Sequence, residues 1–423
     1  MNIPTVFRLA CVLIALAGSL RADTIEFING AKAEGKLQSL DAAAKTVTFE
    51  AAVGGRTVTR TFPQSQVHAV TVSGERKELT PKPGAPGTKA EAAKSSAEMA
   101  ALIKQAGTTP PDWLPNTPLN FPQTLDLSWP EKPPEGWNNS KNVGQFIWDI
   151  INPNENRWRE GVRFLEHLRT LHQNDARLQK RITKDIAAMH FRFFQDYARA
   201  AWGWQQVGIK AGDPEGVQLA ECYWRLGNKQ MALDMITGQR ARLGMIKLLG
   251  DMGDTDKALQ MVDTFVRAMA EPQEALVMGG DACRLAGRYE EALAYYERVL
   301  KAPVTPERKE RLRRVRDRAQ ASIAAIRLFE LSDVTKVADG TYEANSLGYE
   351  GPVQVAVAVK GGRIESVKVT QHREKQYYSA LRDMPQQIIA KQGVKGVDAT
   401  SRATITGNAI INATAEALAK GAQ

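Results

Sequence analysis

Cysteine and the common catalytic motifs are scarce in this sequence. It has three cysteines in 423 residues, with no CxxC pair, no CxxCH haem-attachment motif and no cluster of four, which argues against iron–sulfur and c-type haem centres. HExxH, GxSxG, P-loop and helix-opening GxGxxG motifs are absent as well. His167 and His172 are five residues apart, so they share a helix face poorly and predict no zinc pair. The sequence therefore predicts no metal site and no nucleophile–base arrangement.

Long apolar runs are confined to the first 22 residues. Residues 9–20 form an apolar run of 12 residues after Arg8, and the LRA that ends at Ala22 is typical of a signal cleavage site. A bilayer span needs about 20 apolar residues, and no later stretch is apolar enough. We expect a signal peptide cleaved after Ala22, export to the periplasm or the outside of a bacterium, and no membrane span in the mature chain. The net charge of +9 is mild and does not require nucleic acid.

Residues 23–79 alternate in the manner of β-strands. Five short runs, DTIEFING, AEGKLQSLD, KTVTFEA, RTVTRTF and VHAVTVSG, are divided by Gly, Asn, Asp and Pro. Five strands in so short a segment predict a small, strongly bent β-barrel, which resembles the Sm-like and SH3-like barrels of exported bacterial proteins. His68 is interpreted as a hydrogen-bonded structural residue, with a ligand role as the alternative.

Two segments with little regular structure follow. Residues 80–110 are rich in Pro, Gly, Ala and Lys and predict a flexible linker that contains one short helix, AEMAALIKQAG. Residues 111–148 are rich in proline, which prevents regular structure, but they also carry aromatic side chains that need burial. These are Trp113, Phe121, Trp129 and Trp137. The segment is interpreted as an extended strap pinned on the helical region; an aromatic ligand platform, for example for sugars, is the alternative.

Residues 149–330 predict helices, because apolar residues recur at steps of three and four. RLGNKQMAL, DMGDTDKAL and LAGRYEEAL repeat a Gly followed five residues later by an Ala, where Gly ends one helix and Ala lets the next pack closely. The stretch GDACRLAGRYEEALAYYERVLKAP resembles a tetratricopeptide repeat, which implies a peptide or protein ligand. Cys222 and Cys283 fall on first helices of different repeats, so we expect two separate buried thiols.

The helix after the repeats is very basic. It begins with Thr305 as N-cap and Pro306 at the first position, and Leu312, Ile323 and other apolar residues give it a buried stripe. The basic residues are Arg308, Lys309, Arg311, Arg313, Arg314, Arg316 and Arg318. The helix is interpreted as a solvated cap of the repeats, with a docking face for an anion as the alternative.

Residues 335–423 change pattern again. Alternating valines in PVQVAVAVK, a Gly361-Gly362 turn and RIESVKVTQH predict a β-hairpin. YYSALRDMPQQIIAKQG predicts a helix that bends or restarts at Pro385, and NAIINATAEALAKG predicts the last helix. Between them lies GVDATSRATITG, which crowds several hydroxyl side chains before a helix start.

The order DGTYEA, GYEGPVQVAVAVKGGRIESVKVTQHRE, QQIIAKQ and VDATSRATITGNAI resembles the FMN-binding domain found in flavin subunits of the sodium-pumping NADH:quinone oxidoreductase and the Rnf complex. The resemblance covers about residues 335–423 and implies a small α+β domain. The family motif is Asp, two residues of any type, Ser or Thr, Gly, Ala, then Thr or Ser, and here it runs from Asp398 through Ser401 and Ala403 to Thr404. The resemblance implies FMN joined to Thr404 by a phosphodiester. An ApbE-type flavin transferase that uses FAD and a divalent metal would install it, with Asp398 helping to engage that transferase or its metal.

One position departs from the family, because Arg402 stands where Gly is usual. If that Gly serves a positive φ, Arg is costly there; if it does not, Arg402 is free to pair with the FMN phosphate. The resemblance also places His372 and Glu374 near the isoalloxazine ring, with Tyr377 and Tyr378 as candidates for stacking on it.

The whole sequence predicts a multidomain chain: a small β-barrel, tetratricopeptide-like helical repeats and a small α+β FMN-binding domain. The implied function is electron transfer outside the cytoplasm, as a carrier rather than an enzyme with its own substrate. Redox donor and acceptor proteins are the implied partners, docked by the helical repeats. The alternatives are a protein-binding scaffold with an unmodified FMN-like domain and a flavin reductase, for which no second domain supplies catalytic groups.

Overall fold

The computed structural model describes residues 23–27, 32–41, 44–53, 56–64, 67–73, 75–80, 94–133, 136–329 and 332–422. The chain forms two compact units, residues 1–85 and 86–423. The predicted signal peptide and residues 81–93 of the predicted linker lie outside the described residues. No helix in the described ranges is both long and apolar enough to cross a membrane.

The first unit contains one antiparallel sheet. Its strands are β1 (Asp23–Phe27), β2 (Lys32–Asp41), β3 (Thr46–Val53), β4 (Arg56–Pro63), β5 (Val67–Val72) and β6 (Glu75–Glu78). The order is β4-β3-β2-β1-β5-β6, so β1 lies inside the sheet and pairs with both β2 and β5. The strands share a small core of buried apolar side chains: Ile25, Val47, Phe49, Val67 and Val70.

The five predicted strand runs are all present, and a sixth strand is added. Strand β6 has the sequence ERKE and is exposed throughout, so it carries no apolar alternation by which the sequence could show it. Among the described strands β4 and β6 are the two edges and do not pair, so the sheet is not closed into the predicted barrel. His68 is buried; its Nδ1 lies 2.8 Å from the Thr80 carbonyl oxygen and its Nε2 2.9 Å from Arg76 Nη2, as a structural residue should.

The second unit begins with a helical region. Its helices are α1 (Ser96–Thr108), α2 (Val143–Phe146), α3 (Trp158–Leu171), α4 (Ala176–Met189), α5 (Tyr197–Gln206), α6 (Gly216–Arg225), α7 (Lys229–Ile236), α8 (Leu243–Asp251), α9 (Thr255–Ala268), α10 (Gln273–Leu285), α11 (Tyr289–Lys301) and α12 (Lys309–Arg327). A π-helical turn, Ile147–Ile151, continues α2. Helix α1 confirms the predicted short helix, and Ser95 and Glu98 form a capping box at its start.

The repeat pattern predicted the helix pairs α6–α7, α8–α9 and α10–α11. The three repeat glycines, Gly227, Gly253 and Gly287, all have a positive φ just after a first helix, the conformation that Gly adopts without strain. The three alanines, Ala232, Ala258 and Ala292, are fully buried. Cys222 on α6 and Cys283 on α10 are separate buried thiols, as expected.

The proline-rich segment packs on the helices through its aromatic side chains. Trp113 stacks on Phe194, with 5.4 Å between ring centroids, and Trp129 is buried with the Arg181 guanidinium 3.9 Å from its ring centroid. Trp137 differs, since it is 66% exposed. The interpretation as a strap agrees with this packing.

The C-terminal part of the second unit is α+β. It comprises β7 (Gly340–Leu347), β8 (Pro352–Lys360), β9 (Arg363–Gln371), α13 (Ala380–Lys391) and α14 (Thr404–Lys420), and the strands form an antiparallel sheet in the order β7-β8-β9. Gly361 and Gly362 both have a positive φ, as a two-residue type I′ turn requires. The alternate valines of β8 are buried, and α14 packs across β7 and β8. The predicted fold class is thereby confirmed, and one continuous apolar core joins this part to the helical region.

Candidate functional site

The hydroxyl side chains around the start of α14 fall into two groups, those with a hydrogen-bond partner and those without one among the described residues. The Thr400 hydroxyl is buried and donates to Asp383 Oδ2 at 2.6 Å. The Thr406 hydroxyl is buried and donates to the Glu374 carboxylate. Ser401 and Thr404 are half-buried, and neither hydroxyl bonds to a described residue. Of these four hydroxyls, only those of Ser401 and Thr404 are therefore available as nucleophiles.

Thr404 is the first residue of α14, so the helix begins four residues earlier than NAIINATAEALAKG indicated. Its cap residue, Ala403, provides no side-chain hydrogen bond. The first in-helix bond of this end is donated by the Gly407 N–H to the Ala403 carbonyl at 2.8 Å, which leaves the preceding N–H groups without an intrahelical partner. Uncapped N–H groups and the positive end of the helix dipole favour an anion here.

The loop that precedes α14 is braced by α13. Gln387 bonds to both backbone groups of Asp398: its Oε1 accepts from the N–H at 3.1 Å and its Nε2 donates to the carbonyl at 2.9 Å. Lys391 Nζ donates to the Gly396 carbonyl at 2.6 Å. A loop held at two points by α13 presents Thr404 in one place.

Arg402 has a φ of +69° and an exposed side chain. The left-handed conformation that Gly serves is therefore present at this position, and the chain accepts the strain of a side chain in it. Packing around its guanidinium and the nearby Arg192 lower the pKa of Arg402. The charges of Arg402 and Arg192 would attract a phosphate group.

We expect Arg402→Gly to make the protein more stable. A side chain in the left-handed region costs roughly 1–2 kcal/mol, part of which Gly gives back through its unfolded-state entropy, so the gain in unfolding free energy is about 0.5–1 kcal/mol. Urea unfolding would measure it, with Arg402→Ala as the matched control, because Ala removes the charge and keeps the strained conformation. A gain in Arg402→Ala as large as in Arg402→Gly would show that charge, not backbone strain, is responsible.

Asp398 makes ion pairs with the helical region. Its carboxylate lies 2.9 Å from Arg225 Nη2 on α6 and 3.1 Å from Lys247 Nζ on α8. Burial by itself would raise the pKa of Asp398, but Lys247 and Arg225 outweigh it and hold the pKa well below the usual range. The carboxylate that the sequence offered to a transferase or its metal is thus bound inside the protein.

Two further carboxyl groups complete this cluster. Asp251 lies 2.5 Å from Lys247 Nζ, and Glu221 lies 3.5 Å from Arg225 Nε. Burial and the neighbouring Asp398 raise the pKa of Asp251 well above its usual value. Two cations facing three carboxyl groups are neutral overall when one carboxyl keeps its proton. Sequence analysis missed this cluster because Arg225 and Lys247 are 173 and 151 residues from Asp398, and their repeat positions carry no mark of it.

Glu374 is a buried acceptor that ties the β7–β8 turn to α14. It accepts from the backbone N–H groups of Tyr349 at 3.1 Å and Glu350 at 2.8 Å, and from the Thr406 hydroxyl. His372 is half-buried, and its ring meets the Tyr377 ring edge-on with 5.3 Å between centroids. Of this predicted pair, Glu374 faces the pocket described below and His372 does not.

The two tyrosines proposed for stacking are buried against the helical region. The Tyr377 hydroxyl donates to the Pro153 carbonyl at 2.8 Å, and its ring lies 6.4 Å from that of Trp158. Tyr378 packs beside Phe193, with 5.7 Å between centroids. Both side chains therefore anchor the C-terminal part on the helices.

A pocket of about 970 Å³ opens beside Thr404. One wall is formed by the C-terminal part, through Arg402, Thr404, Thr406, Glu374, Lys375 and Tyr349. The opposite wall is formed by the helical region, through Trp148 of the π-helical turn, Met278 of α10, and Arg314 and Arg318 of α12. Its volume is in the range of cofactor and ligand sites, roughly 300–1,000 Å³.

The pocket is rich in cations that lack carboxylate partners. Arg318 is paired with Asp281 of α10, but in the described part of the chain Arg314, Lys375 and Arg402 make no ion pair. Together with the uncapped start of α14, these side chains fit a phosphate-bearing ligand. The pocket volume leaves room for a large ring system besides the phosphate.

Helix α14 is fixed to the repeats by a buried polar network. Asn408 contacts Asp281, with 3.3 Å from its Nδ2 to each carboxylate oxygen, and Arg284 donates to Asn412 Oδ1 at 3.3 Å and to Asn408. The Tyr296 hydroxyl also donates to Asp281, at 2.7 Å. The first helices of the repeats thus hold the chain's own C-terminal part.

Comparison with known proteins identifies both parts of this arrangement. Residues 348–419 match the family model of the FMN-binding domain, and residues 275–310 match that of the tetratricopeptide repeat. A protein of Treponema pallidum (strain Nichols), described as uncharacterized, is 38% identical over 77 residues. That match spans 18% of this chain and 21% of the relative, so only about a fifth of the relative's length is covered. No solved structure matches the chain.

The C-terminal part is therefore an FMN-binding domain, which confirms the resemblance predicted from the sequence. The chain thus combines an FMN-binding domain at residues 348–419 with a tetratricopeptide repeat at residues 275–310.

Proposed function

We propose that this protein is an exported electron carrier with FMN attached to Thr404 through a phosphodiester. The observation that carries the proposal is the position of Thr404. Among the described residues, its hydroxyl has no hydrogen-bond partner, the helix start is uncapped, and three cations of the adjoining pocket, Arg314, Lys375 and Arg402, make no ion pair. A phosphate on this oxygen would meet the helix N–H groups at once.

The attachment is a transfer from FAD by an ApbE-type flavin transferase with its divalent metal. The Thr404 oxygen forms a bond to the phosphorus of the FMN half, the bond from that phosphorus to AMP breaks, and AMP leaves. The hydroxyl proton passes to a base of the transferase. A braced loop favours this reaction by presenting the nucleophile in one place.

Residues of this chain would hold the group once it is attached. Arg402, Lys375 and Arg314 supply positive charge toward the phosphate and the pocket, and Glu374 holds Thr406 and the β7–β8 turn in position. When bound, FMN supplies the capacity to take two electrons and release them one at a time. Ser401 and Ala403, which the sequence assigned to the cofactor site, lie next to the attachment residue in the motif and position it.

Redox donor and acceptor proteins are the proposed partners, in the periplasm or outside a bacterium. The repeats are proposed to dock one of them. Since the first helices of the repeats already contact α14 and Asp398, the docking surface lies on the remaining repeat surface. Stacked helical repeats commonly present an extended concave surface to such partners.

A protein-binding scaffold with an unmodified domain is the second candidate. The observation that favours it is the engagement of Asp398, because a transferase that needs this carboxylate would have to displace Arg225 and Lys247. The two candidates differ in one measurable property, the covalent flavin.

The test is coexpression of the full chain with a flavin transferase, followed by intact-mass analysis. The electron-carrier proposal expects a gain equal to FMN minus one water, mapped by fragmentation to the peptide that contains Thr404. It also expects reversible reduction of the attached flavin by dithionite and reoxidation by a one-electron acceptor such as ferricyanide. An unmodified chain under these conditions would leave the scaffold as the better account.

A further inference from the structure

Two exposed aromatic side chains face the pocket from its two walls. Trp148 is 45% exposed and Tyr349 is 51% exposed, although both line a concave surface. Large aromatic side chains left in contact with water inside a pocket commonly mark a place where a ligand covers them. Trp148 lies outside residues 348–419, the range of the family match.

The basic helix α12 contributes to the same pocket. The Arg314 guanidinium lies over the Tyr349 ring, 5.1 Å from its centroid, so a cation of the helical region fixes an aromatic of the FMN-binding domain. Four carboxylates also line the pocket, those of Glu274, Glu310, Glu350 and Glu374. Glu310 is paired with Arg313 and Glu374 accepts from backbone N–H groups, and among the described residues none of the four forms an ion pair with Arg314. Arg314 is therefore a cation available to a ligand.

We propose that the helical region forms the second wall of the flavin site, with Trp148 and Tyr349 covering the isoalloxazine ring and Arg314 placing positive charge beside it. This inference rests on the proposed function for the flavin, and it adds Trp148 and Arg314, which lie outside the FMN-binding domain. Stacking on an aromatic side chain stabilises a bound nucleobase, and a larger flat ring offers more area for the same contact. A cation next to the ring stabilises the reduced, more negative flavin.

Flavin fluorescence tests the aromatic walls. The wild-type chain and the variants Trp148→Leu, Tyr349→Leu and Trp137→Leu are coexpressed with the transferase, and intact mass gives the flavin content of each. Stacked indole and phenol rings quench flavin emission, so emission per flavin should rise several-fold in Trp148→Leu and Tyr349→Leu. Trp137→Leu is the matched control, since Trp137 is exposed but does not line the pocket.

Redox titration tests Arg314. Arg314→Met should lower the midpoint potential, and Arg314→Lys, which keeps the charge, should restore most of it. A tenfold loss of preference for the reduced form corresponds to about 30 mV for a two-electron couple. Thermal unfolding of each variant separates this effect from loss of structure.

The outcomes distinguish this inference from the proposed function. If the flavinylated variants keep the emission and the midpoint potential of the wild type, the second wall is overturned, while the proposal of a covalent electron carrier is unaffected. If the wild-type chain gains no mass, added FMN is titrated into the purified protein. If the wild-type chain binds FMN and Trp148→Leu binds it more weakly, the second wall is supported without the covalent link. If the wild-type chain binds no FMN, both the second wall and the covalent carrier are overturned.

Discussion

Thr404→Ala should abolish covalent flavin in the full chain, while Thr404→Ser should retain it. The hydroxyl is the atom that the phosphodiester requires, and neighbouring hydroxyls cannot take its place. Those of Thr400 and Thr406 are buried and bonded to Asp383 and Glu374. After coexpression with the transferase, intact mass should show no gain for Thr404→Ala, a complete loss rather than a partial one.

Ser401→Ala is the matched control for this loss. Ser401 is the other half-buried hydroxyl in the motif, so its removal tests whether any nearby oxygen suffices. Full flavinylation is expected in Ser401→Ala. The Thr404 hydroxyl makes no bond to a described residue, so Thr404→Ala should change the unfolding free energy by no more than about 0.5 kcal/mol. Flavin retained in Thr404→Ala and lost in Ser401→Ala would reassign the attachment site.

The sequence predicted well those features that depend on neighbouring residues. The Gly361-Gly362 turn, the β8 valines and the repeat glycines and alanines all follow from local rules of backbone freedom and periodicity, and the structure confirms them. Strand β6 was missed because ERKE is polar on both faces. The start of α14 was placed too late because its cap position, Ala403, has no capping side chain, and the helix forms there through burial of its other face.

The site was predicted only in part, because it is built from distant segments. Thr404 and Arg402 are recognisable in the motif, but the opposite wall comes from Trp148 and Arg314, which only tertiary packing brings close. The basic residues of α12 had two interpretations, a solvated cap or an anion-facing surface. Arg313 forms surface ion pairs, as a solvated cap should, while Arg314 and Arg318 line the pocket. The anion-facing role of that second face stays a prediction.

The tertiary contacts of Asp398 give it a different role from the one that the motif predicts. From the sequence it is an acid next to an attachment site, whereas in the fold it joins the FMN-binding domain to α6 and α8. We expect Asp398→Asn to lower the unfolding free energy by about 3–5 kcal/mol, since it leaves Arg225 and Lys247 buried with too little negative charge. Urea unfolding followed by tryptophan fluorescence would measure the loss.

Asp251→Asn is the matched control, because it alters a carboxyl in the same cluster with the opposite expected result. Burial and the neighbouring Asp398 raise the pKa of Asp251, so we expect this carboxyl to be the one in the cluster that keeps a proton. An amide resembles a protonated carboxyl, so at neutral pH the change should cost no more than about 1 kcal/mol. The folded state then binds a proton that the unfolded chain loses above about pH 3.9. This contribution to stability therefore declines as pH rises through the window between the unfolded and folded pKa values. Wild-type stability measured at about pH 5 and 7 should show this decline, and Asp251→Asn should show less of it. Equal losses in Asp251→Asn and Asp398→Asn at neutral pH would mean that both carboxylates are ionised and that the cluster carries a net negative charge.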